Sequence, residues 1–264
     1  MRPSNRARTA LIGCLIIAAT HAFGSVKLLV RDGRPIVDGV YVNGHGPYRF
    51  LLDTGANVNL IESGLARKIG MTAGFQVSLA SAGGNTSTPG SDGNEVALDS
   101  VKAAGQKFLF VSLDAIHNSS PDVHGVLGEW FLAQFDYTIN LQARQLNFGK
   151  QDLPGVRTPF HLVNARPVIS TSLGDLALDS GQVQLLLFGV QSGNSSVGLL
   201  RTVAGSQFVG KTSGKPLLIS GRIISDGEAI AIPNRPEPDV DGLLPLGLFK
   251  SIYVCNTEGY VIFE

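Results

Sequence analysis

The sequence predicts an all-β protein made of two pseudo-symmetric, β-barrel-like lobes with a few short helices. Three observations carry that expectation. Glycine is abundant, at 32 of 264 residues, and charged residues make up only 16%. Apolar runs are short and bounded by turn residues, and helical periodicity is rare, which is the pattern of many short strands. Two triplets in similar settings, Asp53-Thr54-Gly55 and Asp179-Ser180-Gly181, mark an internal repeat.

The chain opens with Arg2, Arg6 and Arg8 and no acidic residue, followed by the apolar run Ala10 to Ala19. The run is too short to cross a bilayer comfortably. A basic head, a short apolar core and small residues after it read as a secretory signal over residues 1–24, with cleavage after Ala22 or Gly24. An uncleaved membrane anchor is the alternative. A lipoprotein signal at Cys14 is a third reading, although the apolar core would then lie mostly after the cysteine. Removing the three arginines leaves 18 basic against 21 acidic residues, a net charge near −3. That argues against nucleic acid and anionic membrane surfaces as partners. Only Cys255 survives such processing, in the strand-like run Ile252-Tyr253-Val254-Cys255, so no internal disulfide is expected there.

The first lobe is placed at residues 26–150. Val40-Tyr41-Val42 and Tyr48 to Leu52 flank Asn43-Gly44-His45-Gly46-Pro47, a hairpin pattern. Phe50-Leu51-Leu52 then delivers Asp53 to a turn, where Gly55 lets the backbone bend. A short helix is expected over Ser63 to Ile69, ending at Gly70. Ser81 to Ser87, between Gln76–Leu79 and Glu95–Leu98, reads as a loop or hairpin tip able to cover a cleft. An exposed loop without a role fits the same residues. Pro154-Gly155, with Pro159 following, marks a linker, and the second lobe is placed at residues 160–264.

The order of elements repeats. Arg34-Pro35-Ile36-Val37 precedes the first triplet and Arg166-Pro167-Val168-Ile169 the second. Gly125-Val126-Leu127-Gly128 follows the first and Gly242-Leu243-Leu244-Pro245 the second. Tyr137-Thr138-Ile139-Asn140 and Gln145–Phe148 are matched by Tyr253–Asn256 and Tyr260–Phe263. Two halves with one plan pack about a pseudo-two-fold axis, and equivalent residues near the axis meet. Asp53 and Asp179 thereby become a candidate pair that shares one proton and acts as acid and base together.

Other chemistries lack support. His45, His117, His124 and His161 show no ligand spacing with carboxylates or Cys. The Gly-x-Ser-x-Gly elbow is absent, and Gly83-Gly84 lacks the phosphate-loop lysine. A glycosidase using two carboxylates is not favoured by the turn chemistry. Neither a metal nor a cofactor is expected.

Phe50 to Ile61 resembles the active-site turn of aspartic proteases, and Leu65 to Gly70 with Gly125 to Leu132 resembles the bacterial retropepsin-like members. The resemblance covers nearly all of 26–150. It is weaker in the second half, where Asp179-Ser180-Gly181, Asp241 to Leu244 and the last strands carry it. It implies a bilobal acid-protease fold, a monomer, and a secreted or periplasmic endopeptidase acting on peptides or proteins. Asp53 and Asp179 would be catalytic, Thr54, Gly55, Ser180 and Gly181 would support the turns, and Ala82, Gly83 and Gly84 would belong to a flap. A water held between the carboxyls would attack the scissile carbonyl without a covalent intermediate. Three departures stand out: Gln182 where a small residue is usual, Pro245 in place of a glycine, and no Tyr in the flap region. The residues leave open a catalytically silent relative that binds extended peptides or has a structural role.

Overall fold

The structure, a computed structural model, describes residues 24–81, 84–192 and 198–264. The expected signal segment, apart from Gly24, lies outside the described residues, as do Ala82 and Gly83 of the expected flap.

Among the described residues strands dominate, and the helices are the short segments Ser63–Lys68, Asp114–His117 and Glu129–Leu132, with a 3-10 turn at Leu246–Leu248. The expected hairpin is formed by Arg34–Val42 and His45–Leu52. The expected helix starts at Ser63 and is capped by the Glu62 carboxylate, which accepts from the Gly64 and Leu65 amides.

Each half builds the same crossing of strands around its triplet. In the first, His45–Leu52 lies parallel to Gly125–Leu127, with Leu52 opposite Leu127. In the second, Gly174–Asp179 lies parallel to Gly242–Pro245, with Leu178 opposite Leu244. The next strand pairs antiparallel in both halves, Leu60 with Val126 and Leu186 with Leu243. All four leucines flanking the triplets are fully buried, because parallel strands deep in a lobe are covered on both faces. The apolar runs before each Asp are thus the floor on which the turns stand.

The halves join along their last strands. Tyr137–Asn140 pairs antiparallel with Ser251–Cys255, Ile139 opposite Ile252, as equivalent strands meeting on a two-fold axis must. That pairing makes the seam continuous backbone. Cys255 lies buried in this seam sheet, as a small hydrophobe should.

The segment read as a loop or hairpin tip from Ser81 to Ser87 falls at the end of a hairpin, with strand at Ser81 and from Gly84 onward. Phe75–Ser81 and Gly84–Leu98 form one long hairpin, paired as far as Ser81 opposite Gly84. Its polar composition conceals it. Asn94 and Ser91 are buried yet satisfied, Asn94 donating to the Ser91 hydroxyl at 3.3 Å and the Gln106 carbonyl at 3.1 Å. Register shifts between Ser91 and Val96 break the alternation that would have revealed a strand.

Candidate active site

Reciprocal hydrogen bonds tie the two turns across the seam. The Thr54 amide donates to the Ser180 hydroxyl at 3.0 Å, and the Ser180 amide donates to the Thr54 hydroxyl at 3.1 Å. Each hydroxyl then donates to the strand carrying the opposite Asp: Thr54 to the Leu178 carbonyl at 3.0 Å, Ser180 to the Leu52 carbonyl at 2.7 Å. Thr54 and Ser180 are 0% and 1% exposed, so these four bonds are made away from water. The residue between Asp and Gly therefore needs a hydroxyl in both halves.

Each carboxyl rests against the glycine of the other turn. A Cβ on Gly55 would collide with the Asp179 carboxyl, and one on Gly181 would stand 2.5 Å from Asp53 Oδ2. Only glycine admits this approach. Asp53 and Asp179 come within hydrogen-bonding reach of each other, so the sequence-predicted pair is brought together. Gly55 N–H donates to Asp53 Oδ1 at 2.9 Å, and Gln182 N–H to Asp179 Oδ1 at 2.8 Å.

Burial pushes both carboxyls above the usual carboxylate range. The rise is larger for Asp179, where the Asp53 charge adds to burial. Asp53 is held lower by its bonds to Asp179 and to the Gly55 and Ala56 amides, and by the charge of Arg166. The pair therefore retains one proton into a range where an isolated Asp has lost it, and the proton belongs to the pair.

The two departures in the second turn have local explanations. Gln182 serves Asp179 through its backbone amide, which any residue supplies. Pro245 takes the register of Gly128, one step past the leucine that faces the Asp-bearing strand. In the first half, Gly128 N–H donates to Asn59 Oδ1 at 3.0 Å. The second half has Leu185 where the first has Asn59, six residues past the aspartate, so an acceptor and its donor are replaced together by two apolar groups. Exchanging both partners is far less costly than exchanging one.

Three residues of the site, Arg166, Arg34 and Glu129, were not singled out as site residues by the sequence. Arg166 is 5% exposed, donates to the Gly55 carbonyl at 3.1 Å and is ion-paired with Glu237. Arg34 donates to the Gly181 carbonyl at 2.7 Å. The matched Arg-Pro positions were the available sign of both arginines. Glu129 is buried behind the first turn and accepts from the Tyr137 hydroxyl at 3.3 Å, and burial pushes its carboxyl well up. No pattern in the chain marks it as buried.

Gly84 of the expected flap meets the second half. A Cβ there would lie 3.3 Å from the Ala204 carbonyl, at the tip of a hairpin formed by Gly198–Thr202 and Gly205–Thr212. Sequence reading missed this second hairpin, whose strand faces carry the exposed Leu199 and Phe208. Among the described residues, no three or more His, Cys, Asp or Glu side chains are grouped to hold a metal ion.

A two-lobed β fold with one Asp-Thr/Ser-Gly turn per lobe, braced through the middle hydroxyls, defines a class. The chain is similar to the crystal structure of an aspartic proteinase from Irpex lacteus, with a TM-score of 0.51 and 14% identity, covering 91% of this chain and 96% of that one. Residues 39–131, which include the whole first turn, match the family model described as aspartyl protease. The family match covers part of the first half of the chain, and the structural likeness shows the two-lobed fold. No curated protein matches the chain.

Proposed function

We propose that the protein is an aspartic endopeptidase whose reaction is carried by Asp53 and Asp179. The observation supporting this is the pair itself: two carboxyls brought together across the seam, each seated against the other turn's glycine and each pushed upward by burial. A water between them faces an ionised oxygen that takes its proton and a protonated oxygen that donates to the developing oxyanion of the scissile carbonyl. Proton transfer to the leaving amine completes cleavage and returns the pair to its starting state. One chain supplies both carboxyls, so a monomer suffices.

Secretion or periplasmic location is part of the proposal and rests on the basic and apolar N-terminal segment. No helix among the described residues is long and apolar enough to cross a membrane. The division into lobes at 26–150 and 160–264 follows the repeated strand plan.

The test is cleavage of a mixed peptide library from about pH 3 to about pH 7 by the wild type, Asp53→Asn and Asp179→Asn. The proposal expects wild-type cleavage on the acid side and loss of about 100-fold or more in each variant. A folded variant retaining full activity removes the dyad mechanism. A wild type that binds peptides without cleaving them makes the protein a silent relative.

A further inference from the structure

The two Arg-Pro repeats begin at the same place in each half. Arg34 follows the two-residue turn Asp32-Gly33, and Arg166 follows Asn164-Ala165. All four turn residues have positive φ, at 48° and 77° in the first and 51° and 66° in the second. These are tight turns of the kind that match strand twist. A following proline holds each arginine's backbone extended. Both side chains then leave their own half and cross the seam, Arg34 to the Gly181 carbonyl and Arg166 to the Gly55 carbonyl.

Those carbonyls belong to particular peptide groups. The Gly181 carbonyl and the Gln182 amide are two ends of one rigid plane, and so are the Gly55 carbonyl and the Ala56 amide. Gln182 N–H donates to Asp179 Oδ1 at 2.8 Å. Ala56 N–H turns back onto Asp53, donating to its backbone carbonyl at 3.1 Å and acting on its carboxyl. A charged donor on the carbonyl end fixes the plane and polarises the amide end.

We propose that Arg34 and Arg166 are reciprocal positioning residues, each fixing and polarising, from the opposite half, the peptide that serves the other half's aspartate. This rests on the reading of Asp53 and Asp179 as the proteolytic pair. It gives both arginines a role that a single-lobe description leaves unassigned. It also accounts for the tolerance of Gln182, since the working group at that position is a backbone amide held by Arg34. Arg166 adds direct charge, lowering both carboxyls.

Charged groups bearing on the pair come from several elements. Arg34 lies on Arg34–Val42 and Arg166 on Arg166–Thr171. Glu129, on Glu129–Leu132, stands behind Asp53 with Tyr137 of the seam strand against it, and Glu237 from the 233–241 loop pairs with Arg166.

The experiment uses Arg34→Met, Arg34→Lys and the double variant Arg166→Met/Glu237→Leu, which avoids leaving the Glu237 carboxylate unpaired. Glu129→Gln, made in parallel, removes the other nearby carboxyl from the titration. Arg34→Met is expected to lower kcat about tenfold or more with KM within about twofold, and Arg34→Lys to recover most of it. Loss of either guanidinium is expected to move both limbs of the pH–rate profile upward by about half a unit or more, because the anionic form has lost support. A role confined to holding the lobes together would change the folded fraction and leave the limbs in place. A second readout needs no turnover: carbon-13 titration of Asp-labelled protein, with the pair assigned from Asp53→Asn and Asp179→Asn. Raised apparent values in the arginine variants support the proposal, and unchanged values in folded Arg34→Met and in the double variant overturn it. Should Arg34→Met not fold, Arg34→Gln, a neutral donor, is expected to raise the apparent values, and unchanged ones overturn the proposal equally. If the wild type cleaves no peptide, the proteolytic reading fails, and the titration still decides the arginine relay.

Discussion

Replacing Ser180 by Ala strips two buried hydrogen bonds from the seam. The hydroxyl accepts from Thr54 N–H at 3.0 Å and donates to the Leu52 carbonyl at 2.7 Å. Thr54 and Leu52 are both fully buried, so the groups left behind have no water to turn to. An unsatisfied buried group costs about 1–3 kcal/mol, which puts the loss at about 2–4 kcal/mol once partial relaxation is allowed. That is a large share of a total stability of about 5–15 kcal/mol. For a chain of this size it corresponds to a fall in melting temperature of about 5–15 °C. Thr54→Ala removes the mirror-image pair, orphaning Ser180 N–H and the Leu178 carbonyl. Since either loss loosens the same seam, the double variant should cost less than the two singles together, by about 1 kcal/mol. Urea unfolding followed by circular dichroism measures all three. A Ser180→Ala variant within about 0.5 kcal/mol of wild type would refute the view that the hydroxyls brace the turns.

Gly55→Ala and Gly181→Ala each drive a methyl group into the opposite carboxyl, so peptide cleavage should fall about 100-fold or more while stability falls by only about 1–3 kcal/mol. Kinetics and thermal melts on the same samples check this, and wild-type turnover in either variant contradicts it. Asn59→Leu should cost about 1–3 kcal/mol by orphaning Gly128 N–H, and Leu185→Asn, which places an amide opposite a proline, should also destabilise, both read by urea unfolding. Because burial raises Asp179 above its unfolded value, its contribution is fully present below the unfolded carboxylate range and is lost as pH rises through the folded value. Asp179→Asn should therefore melt higher than wild type near neutrality, with the gap closing in acid. Asp122 runs the other way, since the Arg31 and Arg49 guanidiniums hold its carboxyl well below the usual range. Its stabilisation is present above the unfolded carboxylate pKa and is lost only in strong acid. Asp122→Asn should cost about 0.5–1 kcal/mol at pH 5, a loss that thermal melts would show fading at the acid extreme.

What could be read from the chain divides along physical lines. The two triplets, their apolar approach strands and the matched motifs behind them are local, and parallel strands buried on both faces leave an unbroken apolar run that survives in one dimension. The repeat then brought Asp53 and Asp179 together by symmetry. The strand Gly84–Leu98 was concealed because backbone pairing on both sides, rather than side-chain alternation, holds it in place. The second hairpin, whose strands run from Gly198 to Thr212, was missed because it carries its large apolar residues outward. Arg34 and Arg166 were visible as a repeated dipeptide, yet their partners lie 147 and 111 residues away along the chain. Pro245 looked like a defect until the register showed Leu185 in the place of Asn59. A departure that removes a donor and its acceptor together can be judged only once the strands are aligned.

The shared proton is tested most directly by following the carboxyl carbons of Asp53 and Asp179 through a pH titration of the intact protein. Two well-separated steps are expected, one of them far above the ordinary Asp value of about 3.9, with the loss of that high step when either residue becomes Asn. Two independent steps near that ordinary value would contradict the shared proton.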